Sequence, residues 1–292
     1  MSSGLAGRAL RVTREELVDQ LYADDETLRV KQRVHREFRT NPLTIVDHVV
    51  GLLGLTGNEV VLDLGCGNGL FLREVAARTT LRGRVVGLDL AGGVLMTARR
   101  RLDAEDLTVE LLEHDAGDLD RFPSGSFDRV MINYALHHVP DIDRCLAGVR
   151  RVLRPGGRLL VSTDSVESMA ELYALHAEAL LDAGYPGQVL RTQKSRFALD
   201  TAGREALGRH FPNVRLVPYD DVLAFDDTAS LLGFYAVGTT YCGAALASNP
   251  HWSAEIAGRV DRSVLDRVET VIGAAGEFRI TKHSGTFVCA PS

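Results

Sequence analysis

The chain has 292 residues, 45% of them hydrophobic and 25% charged, which is too apolar for a disordered polymer and enough to bury a real core. Its 33 lysines and arginines face 39 aspartates and glutamates, a formal charge of −6, which speaks against nucleic acid or an anionic membrane as partner and leaves room only for a local basic patch. No apolar run approaches the about 18 to 20 residues of a membrane span, and the start MSSGLAGRALRVTREEL lacks the apolar block of a secretory signal, so a cytoplasmic location is expected.

A first helical block opens on Thr13-Arg-Glu-Glu16, a capping-box pattern, and runs to about Phe38, ahead of Asn41-Pro42. A second helix, Leu43 to Leu53, carries Ile45, Val46, Val49, Val50 and Leu53 on one face and stops in the Gly54 to Gly57 turn. From Glu59 the pattern becomes short apolar runs separated by helical segments, as buried parallel strands and crossover helices read. Strands are predicted at Val60–Leu64, Arg84–Leu88, Thr108–Glu113, Phe127–Asn133 and Arg158–Thr163, with helices near Leu70–Arg78, Gly93–Leu102 and Ile142–Leu153. Pro155-Gly156-Gly157 stops the last of these. A second capping box, Ser168-Met-Ala-Glu171, opens a helix to Gly184, and another helix follows over Thr201–Phe211. A strand around Val214–Phe225, a mostly helical stretch from Asp226 to Gly276, and a last strand over Glu277–Ala290 complete the chain.

The alternation predicts an α/β fold, a doubly wound sheet with right-handed crossovers. Ligands of such sheets sit beyond the carboxyl ends of the strands. The surplus length reads as a helical N-terminal lid over 1–57, with helical insertions at about 165–197 and 226–276 of a domain covering 58–292; these are expected to form the lid and the substrate pocket. The four cysteines, Cys66, Cys145, Cys242 and Cys289, stand singly, so reduced structural thiols are expected rather than disulfides or a zinc knuckle.

Chemistry concentrates in Val60-Val-Leu-Asp-Leu-Gly-Cys-Gly-Asn-Gly-Leu-Phe71, where a strand runs into glycines at 65, 67 and 69 and then a helix. Glycine there permits a tight turn and a close approach to a ligand. The dinucleotide fingerprint would need glycine at 70, where this chain has Leu70. An acid ends the second strand, Asp89 in VVGLD, and another follows the third, Asp115 in EHDA. Asp89 is suited to accept hydrogen bonds from two ribose hydroxyls, which a carboxylate satisfies and an amide does not; a turn or helix cap is the ordinary alternative for an aspartate at a strand end.

With these features the chain resembles the class I S-adenosylmethionine-dependent methyltransferases, in particular the small-molecule branch that includes the ubiquinone and menaquinone biosynthesis enzymes. Five motifs carry the resemblance in order over residues 60–163: LDLGCGNG, VVGLDLA, EHDAGDLDRFP, FDRVMINYALHHVPD and RVLRPGGRLLVST. The remainder is similar only in topology. The resemblance implies a mostly parallel, Rossmann-like sheet of seven strands and S-adenosyl-L-methionine as cofactor. It assigns Asp89, with Leu90 beside it, to the ribose, and Asp115 and Ala116 to the adenine. Gly65, Cys66, Gly67 and Asn133 would line the methionine portion, Asp63 would fix the loop and meet the ammonium through the loop or a water, and Arg39 would pair with the carboxylate.

Methyl transfer is an in-line displacement, so the protein's task is alignment and exclusion of water, and a general base is optional. If one acts, it is expected from Tyr134, His137 or His138, in the segment after the fourth strand, where packing is the ordinary alternative for one of the histidines. Tyr22, His35 and Arg36 in the N-terminal block, Tyr173 and His176 on one helix face, and Phe234, Tyr235, Tyr241 and Trp252 are further pocket candidates, with a solvated face or a local core as the plain alternatives. No metal is expected, because Tyr134 and histidines follow the fourth strand and Asp141 and Asp164 are isolated. The expected reaction is methylation of an oxygen or nitrogen of a small molecule in specialised (natural-product) biosynthesis. An NAD(P)-dependent oxidoreductase and a silent S-adenosylmethionine-binding protein are the alternatives, and the oligomeric state is open, with a homodimer among the options.

Overall fold

The computed structural model describes residues 22–80, 82–184, 197–200, 202–241 and 253–290. The Thr13–Glu16 capping box, Cys242, Trp252 and the side chain of Tyr241 lie outside what it describes. Helices α1 (Glu26–Glu37) and α2 (Ile45–Leu53) precede an alternating series: β1 (Val60–Leu64), α3 (Leu70–Ala77), β2 (Arg84–Asp89), α4 (Gly92–Asp103), β3 (Glu110–Glu113), β4 (Phe127–Asn133), α5 (Ile142–Val152) and β5 (Leu153–Asp164). Then come α6 (Ala170–Asp182), α7 (Ala202–Gly208), β6 (Asn213–Phe225), α8 (Thr228–Tyr241), α9 (Ala254–Ala275) and β7 (Phe278–Ala290).

The seven strands form one sheet in the order β3-β2-β1-β4-β5-β7-β6. β1 to β5 are parallel, and β7 runs antiparallel to both neighbours. Both faces are apolar, because strand side chains alternate. Leu62, Val86, Val130 and Val161 bury one face with α5 and α7, and Val61, Val85, Met131 and Leu160 bury the other with α2 and α3. The late helices build a third cluster. Leu172, Leu175, Leu231, Phe234, Val260 and Val264 pack with Val34 of α1 and with Phe225, Phe278 and Ile280 of the β6–β7 ribbon.

Three local expectations are corrected. β5 begins at Leu153 rather than Arg158, because the chain pairs Phe127 with Leu153 as soon as α5 ends; Pro155-Gly156-Gly157 is a bulge within the strand, with Gly156 at φ +74°. β3 starts at Glu110 rather than Thr108. The Ser168–Glu171 capping box does not form: the Ser168 hydroxyl accepts from the His283 N–H (3.2 Å) and the Glu171 carboxylate from the Thr281 N–H (3.0 Å). Both side chains turn to β7, and α6 starts instead from Met169 at φ +67° without a side-chain cap.

Candidate active site

At the carboxyl end of β1 the chain turns sharply through Gly65 (φ +72°), Gly67 (φ +54°) and Gly69 (φ +79°), conformations that favour glycine. The Gly65 and Cys66 N–H groups both donate to the Leu88 carbonyl, at 2.7 and 3.0 Å, which ties the loop to β2. A Cβ at position 65 would stand 2.4 Å from the Ala135 side chain, so the loops after β1 and β4 meet with no room between them.

Asp89 closes β2 beneath this loop. Its carboxylate accepts from the Gly67 N–H at 2.7 Å and the Ala91 N–H at 3.0 Å. Burial raises its pKa in spite of these bonds, which favour the anion. Asp63, in β1, is fully buried, and neither of its carboxylate oxygens has a hydrogen-bond partner. Burial, reinforced by the charge of Asp89, pushes its carboxyl well above the ordinary range. An unpartnered buried carboxylate is costly, and a cationic ligand group at this position would relieve the cost. The Cys66 thiol is pushed up by burial and by Asp63 and Asp89, so it is a protonated lining group rather than a nucleophile.

The flanking strands supply the remaining expected residues. Asp115 follows β3 and accepts from the Gly117 N–H at 2.8 Å; Ala116 beside it is half-buried. Leu90 is half-buried next to Asp89. Asn133, at the end of β4, accepts from the Ser162 hydroxyl at 2.8 Å while its amide nitrogen is buried without a partner. Tyr134 sits at φ +55°, a strained conformation for a bulky residue, with its N–H on the Ser162 carbonyl at 2.9 Å. Burial, then the charge of Asp164, raises its phenol well above the usual tyrosine range. His137 and His138 form a short 3-10 turn with ring centroids 4.0 Å apart; His137 is buried, and His138 meets the ring of Tyr22 edge-on at 6.1 Å.

The N-terminal block crosses the carboxyl edge as a strap. Twelve residues of α1 give it a length of about 18 Å. At one end the Gln32 amide donates to Asn68 Oδ1 at 2.8 Å and accepts from Asn68 Nδ2 at 3.2 Å. A Cβ on Gly67 would lie 3.2 Å from Leu28, and one on Gly93 only 1.9 Å from the Ala23 carbonyl, so the strap is pressed onto the glycine loop and the start of α4. Burial, then the charge of Asp89, raises the Tyr22 phenol. At the other end Phe38 stacks on Phe225 at 4.6 Å and Arg39 bridges Leu223 on β6.

That bridge fixes where the Arg39 backbone stands. β6 is four strands from β1, about 19 Å at the usual strand spacing. Arg39 donates to the Asn41 carbonyl. Among the weaker candidates, His35 meets Phe234 edge-on at 6.1 Å, Arg36 pairs with Glu37 on the surface, and His176 Nδ1 lies 2.6 Å from the Tyr235 hydroxyl inside the third cluster. Burial lowers the His176 pKa. Two features escaped the sequence reading. The Gln32–Asn68 pair has no motif, and a buried Asp164–Lys282 pair (3.3 Å) joins residues far apart in the chain.

Residues 62–161 match the model of a methyltransferase domain family. Over 104 residues the chain is 42% identical to the demethylmenaquinone methyltransferase of Thermus thermophilus, covering 35% of this chain and 45% of that protein. Over 123 residues it is 38% identical to the ubiquinone biosynthesis O-methyltransferase of Xanthomonas oryzae, covering 42% of this chain and 49% of the relative. The matched segment thus spans less than half the length of these curated relatives. In fold it is similar to Haemonchus contortus phosphoethanolamine N-methyltransferase 2, solved with S-adenosyl-L-methionine, at a TM-score of 0.56 and 17% identity over 97% of this chain and 61% of that one.

Proposed function

With residues 62–161 forming a methyltransferase domain of the class I, S-adenosylmethionine-dependent family, we propose that the whole chain methylates an oxygen or nitrogen of a small molecule in specialised biosynthesis. When bound, S-adenosylmethionine supplies a methyl carbon already activated by its sulfonium. The observation that carries the reading is Asp63, a buried carboxylate with two unpartnered oxygens under a glycine cradle that has no room for a Cβ. Those unpartnered oxygens fit an ammonium-bearing ligand.

Asp89 would hold the ribose hydroxyls, with Leu90 beside it; Asp115 and Ala116 would meet the adenine. Asp63 would face the ammonium directly or through a water, and Gly65, Cys66, Gly67 and Asn133 would line the methionine portion. The strap of α1 excludes water from above, which strengthens each of these contacts. Beyond the methyl position lie Tyr134, His137 and His138. With its pKa raised, Tyr134 is protonated at neutral pH, so it orients an acceptor by hydrogen bonding, and His137 or His138 is the better proton acceptor if one is used.

The N-terminal lid (1–57) and the insertions at about 165–197 and 226–276 are assigned to substrate enclosure. No described helix is long and apolar enough to cross a membrane. Cys66, Cys145 and Cys289 are free and buried, in keeping with a reducing cytoplasm. Calorimetric titration with S-adenosylhomocysteine tests the reading: saturable binding by the wild type that disappears in Asp89→Ala is expected, and no binding by the wild type would refute it.

A further inference from the structure

The strap is fastened to the glycine loop through one side chain, and the partners of that side chain come from two helices. Asn68 stands between Gly67 and Gly69 and is 1% exposed. Its Oδ1 accepts from Gln32 Nε2 at 2.8 Å and from Arg101 Nη1 at 3.2 Å, while its Nδ2 donates to Gln32 Oε1 at 3.2 Å. The strap helix α1, the glycine loop and the last turn of α4, which carries Arg101, thus meet at one carboxamide.

Two facing amides have no preferred sense of their own. Turning both by half a turn exchanges oxygen for nitrogen on each side and restores the same two hydrogen bonds. Arg101 removes this freedom. A guanidinium only donates, so in the reversed sense it would meet Asn68 Nδ2, donor against donor. In the observed sense its bond is charge-assisted, and therefore stronger than either amide–amide bond. The neighbouring acids are engaged elsewhere: Glu105, one turn on, pairs with Arg73 at 2.6 Å, and Asp103 lies 3.9 Å from Arg99. Burial lowers the Arg101 pKa, the charge of Asp25 at the start of α1 opposes that shift, and the guanidinium stays charged at neutral pH. Helix α4 also meets the strap at its other end, where the Ala23 carbonyl presses on Gly93. The two contacts are eight residues apart, about 12 Å along the helix, and together they set one register for the strap.

We infer that Arg101 is a positioning residue for cofactor retention: by holding Asn68 Oδ1 it fixes the sense of the Gln32–Asn68 pair and so registers the strap on the glycine loop. The inference rests on the S-adenosylmethionine reading of that loop. Arg101 touches neither cofactor nor acceptor in this role; it acts through Asn68 on how long the strap stays shut. The effect of Arg101 and that of Gln32 therefore pass through the same carboxamide, which makes them inseparable in a double-mutant cycle.

The test follows release of tritiated S-adenosylhomocysteine from the full chain into an excess of unlabelled compound, in the wild type, Gln32→Ala, Arg101→Met and the double variant. Arg101→Met is expected to release it about tenfold faster, the factor that one hydrogen bond from a charged donor supplies. The double variant should stay within about twofold of Arg101→Met instead of showing the product of the single effects. Arg101→Lys keeps a cationic donor for a site that takes only one N–H, so it should stay within about threefold of the wild type. Arg101→Gln, neutral and shorter, should match Arg101→Met and gives a second neutral variant at this position. A merely structural role would lower the melting temperature of Arg101→Met and leave its release rate at the wild-type value. That result, single effects that multiply in the double variant, or Arg101→Lys as fast as Arg101→Met would each overturn the inference while the cofactor reading stands. Absence of S-adenosylhomocysteine binding by the wild type overturns the cofactor reading itself, and this inference with it.

Discussion

The two halves of the carboxyl edge are built in opposite ways. Around β1 and β2 the polar groups are local: Asp89 is held by the N–H of Ala91, two residues on, and by that of Gly67, 22 residues back. Across β5 and β7 they are assembled by antiparallel register, and Ser284 reaches Asp164 over 120 residues of chain. A cofactor shared by many enzymes can be bound by short, portable loops, whereas an acceptor particular to one enzyme is met by contacts that only the complete topology creates.

If the first half is a self-contained cofactor site, its residues should fail separately from the second. The largest effect is expected from Asp89→Ala, which removes charge-assisted hydrogen bonds and should weaken S-adenosylhomocysteine binding about a hundredfold or more, roughly 3 kcal/mol, read by calorimetry. Next comes Gly65→Ala, which combines a positive φ with a 2.4 Å approach to Ala135; a loss of about 1–3 kcal/mol in denaturant unfolding is expected.

Asp63 gives a pH signature. Its native pKa is raised, so above the unfolded value of about 4 the native state holds the proton more tightly. Its stabilising effect is complete below that value and is lost as pH rises through the native pKa. Melting temperatures of the ligand-free protein across this window should fall less steeply in Asp63→Asn; identical slopes would show that Asp63 is not the group responsible. The smallest effect is assigned to Gln32→Ala, which removes the amide pair with Asn68 at a cost of about 1 kcal/mol. Stopped-flow measurement should show cofactor leaving a few-fold faster, with acceptor selectivity untouched.

The same contrast explains what was legible in the sequence. The apolar runs at Val60–Leu64 and Phe127–Asn133 define their strands to the residue, since burial on both faces leaves them no other pattern. The glycine loop and Asp89 were visible because their geometry is set by neighbours in the chain. Ser168 and Glu171 read as a helix cap because a local partner was the only one in view, but β7, more than 100 residues away, offered better donors. The bridge of Arg39 to Leu223 was hidden for the same reason: nothing in its neighbourhood announces it.

The strap has unequal fastenings, and this fixes which way it swings. Its glycine-loop end is held by the Gln32–Asn68 amide pair and the close approach of Leu28 and Ala23, whereas its β6 end is pinned by the Phe38–Phe225 stack and by Asp221 clasping Thr40 and Asn41, where opening would wet an aromatic stack as well. A strap fastened in this way is expected to lift like a drawbridge, hinged over β6 and rising over the glycine loop. Under the proposed function, spent cofactor would then leave by a door that the acceptor does not share, and the two ligands would exchange on separate clocks.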